Sequence, residues 1–177
     1  MNSDRVFHIG ERVVYPNHGV GVIEQISSRM IGASLEKFYL LKIKSSSLKV
    51  MVPFHNVANV GMRPVVRNGE VQKIVDFLSS GECASAVDWK DRFKENSERM
   101  RTGSLQDVAV VLKSLLTQGQ AKSLSFREKK MLERARYLLV SELAISRNCE
   151  ESQIEQLLAK ALTKCNLRFP EISEFAS

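Results

Sequence analysis

Residues Val13–Ile23, VVYPNHGVGVI, decide how this chain is read. Val13, Val14 and Tyr15 are β-branched or aromatic, the residue types that suit a pleated strand. Pro16-Asn17-His18-Gly19 is a tight turn: proline presets φ, asparagine tolerates the left-handed region, and glycine accepts either sign of φ. Val20 to Ile26 resume a strand, and Gly21 inside it signals a bulge or a sharp bend. A bent hairpin this early predicts a small β-barrel module. Working outward, Phe38–Lys44 (FYLLKIK) and Leu48–Pro53 (LKVMVP) flank Ser45-Ser46-Ser47 as a further hairpin. A short strand over Val57–Val60 is expected to close the barrel. Gly61, Pro64 and Asn68-Gly69 then interrupt the pattern, which places a domain boundary at about 61–69.

Beyond that boundary the apolar period changes from two to that of a helix. Val71, Ile74, Val75 and Leu78 fall at i, i+3, i+4 and i+7, with Gly81 as the expected end. Asp88 can cap a helix running to about Thr102. Ser104 and Asp107 resemble a capping box ahead of Leu105, Val108, Val111, Leu112, Leu115 and Leu116, with Gly119 as the expected stop. Ser125 and Glu128 form a capping box proper before a long helix carrying Leu132, Ala135, Leu139 and Leu143. Asn148 and Glu151 open a last helix striped by Ile154, Leu157, Leu158, Ala161 and Leu162. The expected architecture is α+β: a β-barrel domain over residues 1–66, a compact bundle of about five helices over 67–165, and a C-terminal tail over 166–177.

Composition narrows the function classes. The chain has 177 residues, 44% of them hydrophobic, and a net charge of +6. No apolar run approaches the roughly 20 residues a membrane span needs, and the N-terminus lacks the apolar region of a signal peptide. A cytoplasmic protein without a membrane partner is expected. Cys83, Cys149 and Cys165 form no CxxC pair, so idle thiols are expected rather than a disulfide frame or zinc knuckle. The charge is uneven: +5 over residues 1–69, −2 over 70–87, +5 over 88–148 and −2 over 149–177. Two basic blocks suit a nucleic-acid partner. The sequence holds no Walker loop, GxGxxG, GxSxG or HExxH. His8, His18 and His55 are not paired at ligand spacing. No catalytic residue, metal site or cofactor is expected.

The segment Trp89–Thr102 is the best candidate for a working surface. At about 100° per residue, Trp89, Phe93 and Met100 fall within about 40° of one another. Lys90, Lys94 and Arg101 lie to one side, Arg92 and Arg99 to the other, and Asp91, Glu95 and Glu98 behind. Such a helix fits a phosphate backbone. It equally fits a core-facing stripe with snorkelling cations at its edges. Trp89, the only tryptophan, sits at the first helical position, where the preceding loop can lift it to the surface. A second basic stripe runs through Arg127, Lys130 and Arg134 on the long helix, with Lys129 and Arg136 off it.

These residues resemble the CarD family of bacterial transcription regulators along nearly the whole chain. Gly10–Gly19 (GERVVYPNHG) is similar to the family's G-D/E-x-V-V-Y-P-x-H-G, and Val52-Pro53 to its V-P after the fourth strand. Trp89–Lys94 (WKDRFK) resembles its tryptophan helix. Leu124–Arg136 (LSFREKKMLERAR), followed by Leu143-Ala144, resembles its L-S-x-x-E-K-x-M-L-x-x-A-R…E-L-A block. The resemblance implies a Tudor- or SH3-like barrel that binds the β subunit of RNA polymerase, through Arg29, Met51 and Pro53 here. It also implies a helical domain touching promoter DNA at the upstream edge of the melted bubble, without sequence specificity. The DNA-facing residues would be Trp89, Lys90, Arg92, Lys94, Arg127, Lys130 and Arg134. In the family the tryptophan acts as a minor-groove wedge that stabilises the open complex. The implied protein is a monomeric, nucleoid-associated transcription factor. The alternative is a generic protein-binding module whose helices are only a scaffold.

Overall fold

The computed structural model describes residues 5–80 and 89–171, except for the side chain of Trp89. Gly81, Cys83, Asp88 and the residues after 171 lie outside the described residues. The chain divides into two compact units, Met1–Val65 and Val66–Ser177.

The first unit is built on five antiparallel strands in the order β4-β3-β2-β1-β5. They are β1 (Arg12–Tyr15), β2 (Gly19–Ile31), β3 (Ser34–Ile43), β4 (Lys49–Pro53) and β5 (Arg63–Pro64). The β1–β2 turn takes the expected form, with Asn17 at φ 64° and Gly19 at φ 93°. Gly21 has a different role from the bulge expected of it. A Cβ there would lie 3.0 Å from the Lys42 carbonyl oxygen and 3.2–3.3 Å from the Ile43 and Leu41 side chains, so β3 closes directly over it. The register break falls between Ile23 and Gln25 instead.

Val57–Val60 is not the closing strand. Phe54–Asn56 form a 3-10 turn, and Val57–Val60 form one helical turn, α1, ended by Gly61 at φ 75°. Strand propensity yields here to tertiary context, since Val57 and Val60 pack against the core from the helical turn. Arg63–Pro64 take the edge beside β1, a position where a proline's missing N–H costs no ladder bond. β4 and β5 end the sheet on opposite sides, so it is open, and barrel describes it only loosely. The core is Phe7, Val13, Ile23, Tyr39, Leu41, Val52 and Met62. Tyr39 stacks on Phe54 at 4.1 Å between ring centroids. Its buried hydroxyl accepts a 3.0 Å hydrogen bond from the Phe7 N–H, which satisfies the polar end of a ring otherwise in apolar surroundings.

Among the described residues the second unit holds five helices: α2 (Asn68–Ser79), α3 (Trp89–Arg101), α4 (Leu105–Ala121), α5 (Phe126–Arg147) and α6 (Glu151–Thr163). The expected stripes are its core, including Val71, Ile74, Leu78, Leu112, Leu139, Ile154 and Leu158. The Ser104 side chain caps α4 by accepting from the Asp107 N–H, and the Ser125–Glu128 capping box forms in full. Two ends differ from expectation. α4 runs through Gly119 to Ala121. Asn148 does not start α6 but ends α5 in the left-handed region at φ 52°, and Glu150 with Gln153 caps α6.

Three polar side chains, two buried and one half-buried, fasten this unit internally. Lys113, 1% exposed, donates to the carbonyls of Phe77 and Ser80 at the end of α2, where the helix no longer supplies its full set of backbone donors. Glu142 accepts from the Val66 N–H at 3.0 Å, and Ser146, also on α5, donates to the Val66 carbonyl. Residues expected to be a tail begin as part of the packing: Leu167 is buried, and Arg136 lies 4.2 Å from the Phe169 ring centroid.

Candidate functional site

In the sheet unit the three polymerase-facing candidates share one face. β4 is an edge strand paired only with β3. Strand alternation buries Val52 and leaves Met51 40% exposed on the other side. Met51 stands opposite Leu40, and Pro53 opposite Phe38. Phe38 in turn stands opposite Ser27, and Glu36 opposite Arg29. Directly opposed residues project to the same side of a sheet, so Arg29, Met51 and Pro53 belong to one surface. Pro53 is half-buried and Arg29 exposed. Glu36 is 3.7 Å from the His55 imidazole.

The β2–β3 hairpin carries a feature the sequence reading missed. At the β2–β3 hairpin end, Met30, Ile31 and Leu35 are 64%, 51% and 63% exposed, immediately beside Arg29. The available signal was Gly32 within an otherwise apolar run, which marks a hairpin turn (φ 62°) with apolar residues on either side of it.

In the helical unit the basic candidates separate. Lys90 and Lys94 are exposed on α3, whereas Arg92 is half-buried. Its Nε is buried and has no hydrogen-bond partner among the described residues. The apolar stripe of α3 turns inward at its C-terminal end: Met100 and Asn96 are each 5% exposed. Arg99 is bound to Glu95 and Asp107 at 3.0 Å each, which raises its pKa, chiefly through the Glu95 hydrogen bond. The N-terminal half of α3 presents Lys90 and Lys94 outward while its last turns pack. The Trp89 side chain lies outside the described residues.

On α5, Arg127 and Lys130 are exposed and Arg134 is half-buried. Lys130 pairs with Glu133 at 3.5 Å and lies 5.7 Å from the Phe126 ring centroid. Phe126, 70% exposed, is a second residue missed in the sequence. Like Trp89, it is an aromatic at the first position of a helix, followed at once by a cation. Its helix start is fixed by Glu128. Burial opposes ionisation of that carboxyl, but the Ser125 N–H, the Gln118 amide, the Ser125 hydroxyl and the nearby Arg92 charge together hold its pKa below 4.5. The Arg92 charge is the smallest of these influences.

Among the described residues no three His, Cys, Asp or Glu side chains group as metal ligands. Cys149 and Cys165 are free and half-buried. No helix among the described residues is long and apolar enough to cross a membrane.

Comparison with known proteins agrees with this division. Residues 7–66 match the family described as CarD-like/TRCF RID domain, and residues 73–159 the family described as CarD, C-terminal domain. The Bacillus subtilis (strain 168) protein named "Putative transcription factor YdeB" is 33% identical over 150 residues, covering 85% of this chain and 98% of that protein.

Proposed function

Because the chain belongs to the CarD family of transcription factors, we propose that it bridges RNA polymerase and promoter DNA. The sheet unit binds the polymerase β subunit through the face of Arg29, Met51 and Pro53. The helical unit touches DNA at the upstream edge of the bubble and stabilises the open complex. The observation that carries this reading is that both units offer an exposed, unlike surface: an edge strand with an apolar anchor in one, and two helix starts carrying cations in the other.

The physics of the two contacts differs accordingly. An edge strand with unpaired backbone groups recruits a partner by strand addition, and an apolar side chain beside it supplies affinity. Lys90, Lys94, Arg127 and Lys130 are suited to phosphates, whose contacts position a protein without reading sequence. Trp89 is proposed as the wedge: an aromatic ring set against a partly unstacked base step opposes reannealing. Phe126 joins this surface as a second aromatic.

Footprinting polymerase at one promoter, with and without the protein, tests the proposal. Protection extended at the upstream bubble edge and a longer-lived open complex are the expected results. Co-purification with polymerase but no change in footprint or lifetime would favour the generic protein-binding module instead.

A further inference from the structure

The sheet unit carries a second cluster of cations that the polymerase contact does not use. The strand registers align Arg12 with Val22, Val22 with Lys42, and Lys42 with Lys49. Since opposed residues share a side, these four form one row across β1 to β4. All four are exposed. Lys44, also exposed, is the first residue of the turn that follows β3, two residues on from Lys42. With strands about 4.8 Å apart, the row sets Arg12 and Lys42 about 10 Å apart and Lys42 beside Lys49.

This arrangement works against stability. Like charges placed directly opposite one another on adjacent strands are destabilising, and Lys42 faces Lys49 in that way. Glu24 relieves one of them, lying 3.4 Å from the Lys49 amine. Among the described residues Arg12, Lys42 and Lys44 make no ion pair.

We propose that the Arg12–Lys42–Lys49 row, with Lys44 beside it, is a further binding surface that takes a nucleic-acid phosphate backbone. Residue chemistry selects this occupant over a protein. Protein interfaces are depleted in lysine and built around aromatic or apolar anchors. This row is three-quarters Lys and Arg, with Val22 its only apolar member. Interfaces with nucleic acid are polar and strongly positive, and lysine serves there as a point charge on phosphate. The same sheet face is thus divided. Its Met51–Pro53 end is apolar and suits a protein, and its Lys42–Lys44 end suits a polyanion. The inference stands whether or not α3 touches DNA.

The test is salt-dependent binding of the full chain to a labelled mixed-sequence DNA duplex. Each lost phosphate contact lowers the slope of log K against log salt by about 0.9. Lys42→Gln/Lys44→Gln should therefore reduce the slope by about 2, with the melting temperature unchanged or raised because the opposed lysine pair is gone. Combining it with Lys90→Gln/Lys94→Gln should give the sum of the two separate losses. A wild-type slope in Lys42→Gln/Lys44→Gln overturns the proposal. So does a loss of polymerase β-subunit binding with DNA binding intact, which would make the occupant an acidic protein surface.

Discussion

The edge strand of the sheet unit and the helix starts of the second unit are the two proposed contact surfaces, and they are presented in opposite ways. β4 uses alternation: Val52 anchors the strand in the core, and that anchoring fixes Met51 outward on an edge. The helices use their termini: Ser125 and Glu128 lock the first turn of α5, and that locking fixes Phe126 and Arg127 at its exposed tip. In one case the contact residue is apolar and its neighbours polar. In the other an aromatic is surrounded by cations. The difference predicts that salt should barely affect the first contact and strongly weaken the second.

The largest effect expected from breaking this contrast is at Met51. Met51→Asp places a carboxylate in an apolar contact and should weaken β-subunit binding at least 100-fold, about 3 kcal/mol. Calorimetry against a β-subunit fragment measures this. The melting temperature should hold, because Met51 is 40% exposed. Unchanged affinity would remove Met51 from the interface.

The helix starts are tested next. Glu128→Ala removes half of a buried capping box and should destabilise the helical unit by about 2 kcal/mol in chemical denaturation. Its charge also sets a pH signature. The folded carboxyl is held below 4.5, so the unfolded chain takes up the proton more readily. The stabilisation is complete above that value and is lost as pH falls through the lower, folded one. Glu128→Gln should flatten this acid limb, and a limb as steep as in the parent protein would show that other carboxylates cause it. Lys90→Glu with Lys94→Glu should lower duplex affinity and flatten its salt slope, leaving β-subunit binding intact. The smallest effect is at Arg29. An exposed charge contributes less than about 1 kcal/mol, so Arg29→Glu, which also faces Glu36 across the strands, should weaken polymerase binding modestly and only at low salt.

Much of this was legible in the sequence because the signals were local. Ser125 and Glu128 are three residues apart, and their capping box follows from spacing alone. The turn at Pro16–Gly19 and the stripes of α2 and α6 are equally local. What escaped depends on distant partners. Val57–Val60 reads as a strand by residue type and became helical because it packs from a turn. Lys113 looks like a surface lysine, yet the carbonyls at the end of α2, more than thirty residues earlier, hold it buried. Asn148 fits a helix start or a left-handed helix end equally well, and the course of α5 decides between them. For the candidate surfaces, sequence named the cations. It did not separate Arg92, which is half-buried with its Nε enclosed, from Lys90 and Lys94, which are exposed. Nor did it find Phe126, because exposure of an aromatic is a property of the packed unit.

In the proposed function the helical unit stabilises melted promoter DNA through Trp89. One variant tests it most directly: Trp89→Ala, followed by the half-life of the polymerase–promoter open complex alongside the melting temperature. A DNA wedge at Trp89 predicts an almost unchanged melting temperature. It also predicts a half-life shortened by about tenfold or more, since stacking on an aromatic is worth about 1–3 kcal/mol per base. An unchanged half-life would contradict the wedge. So would a collapsed melting temperature reflecting the about 3–5 kcal/mol destabilisation typical of a truncated core aromatic, which would make Trp89 part of the packing.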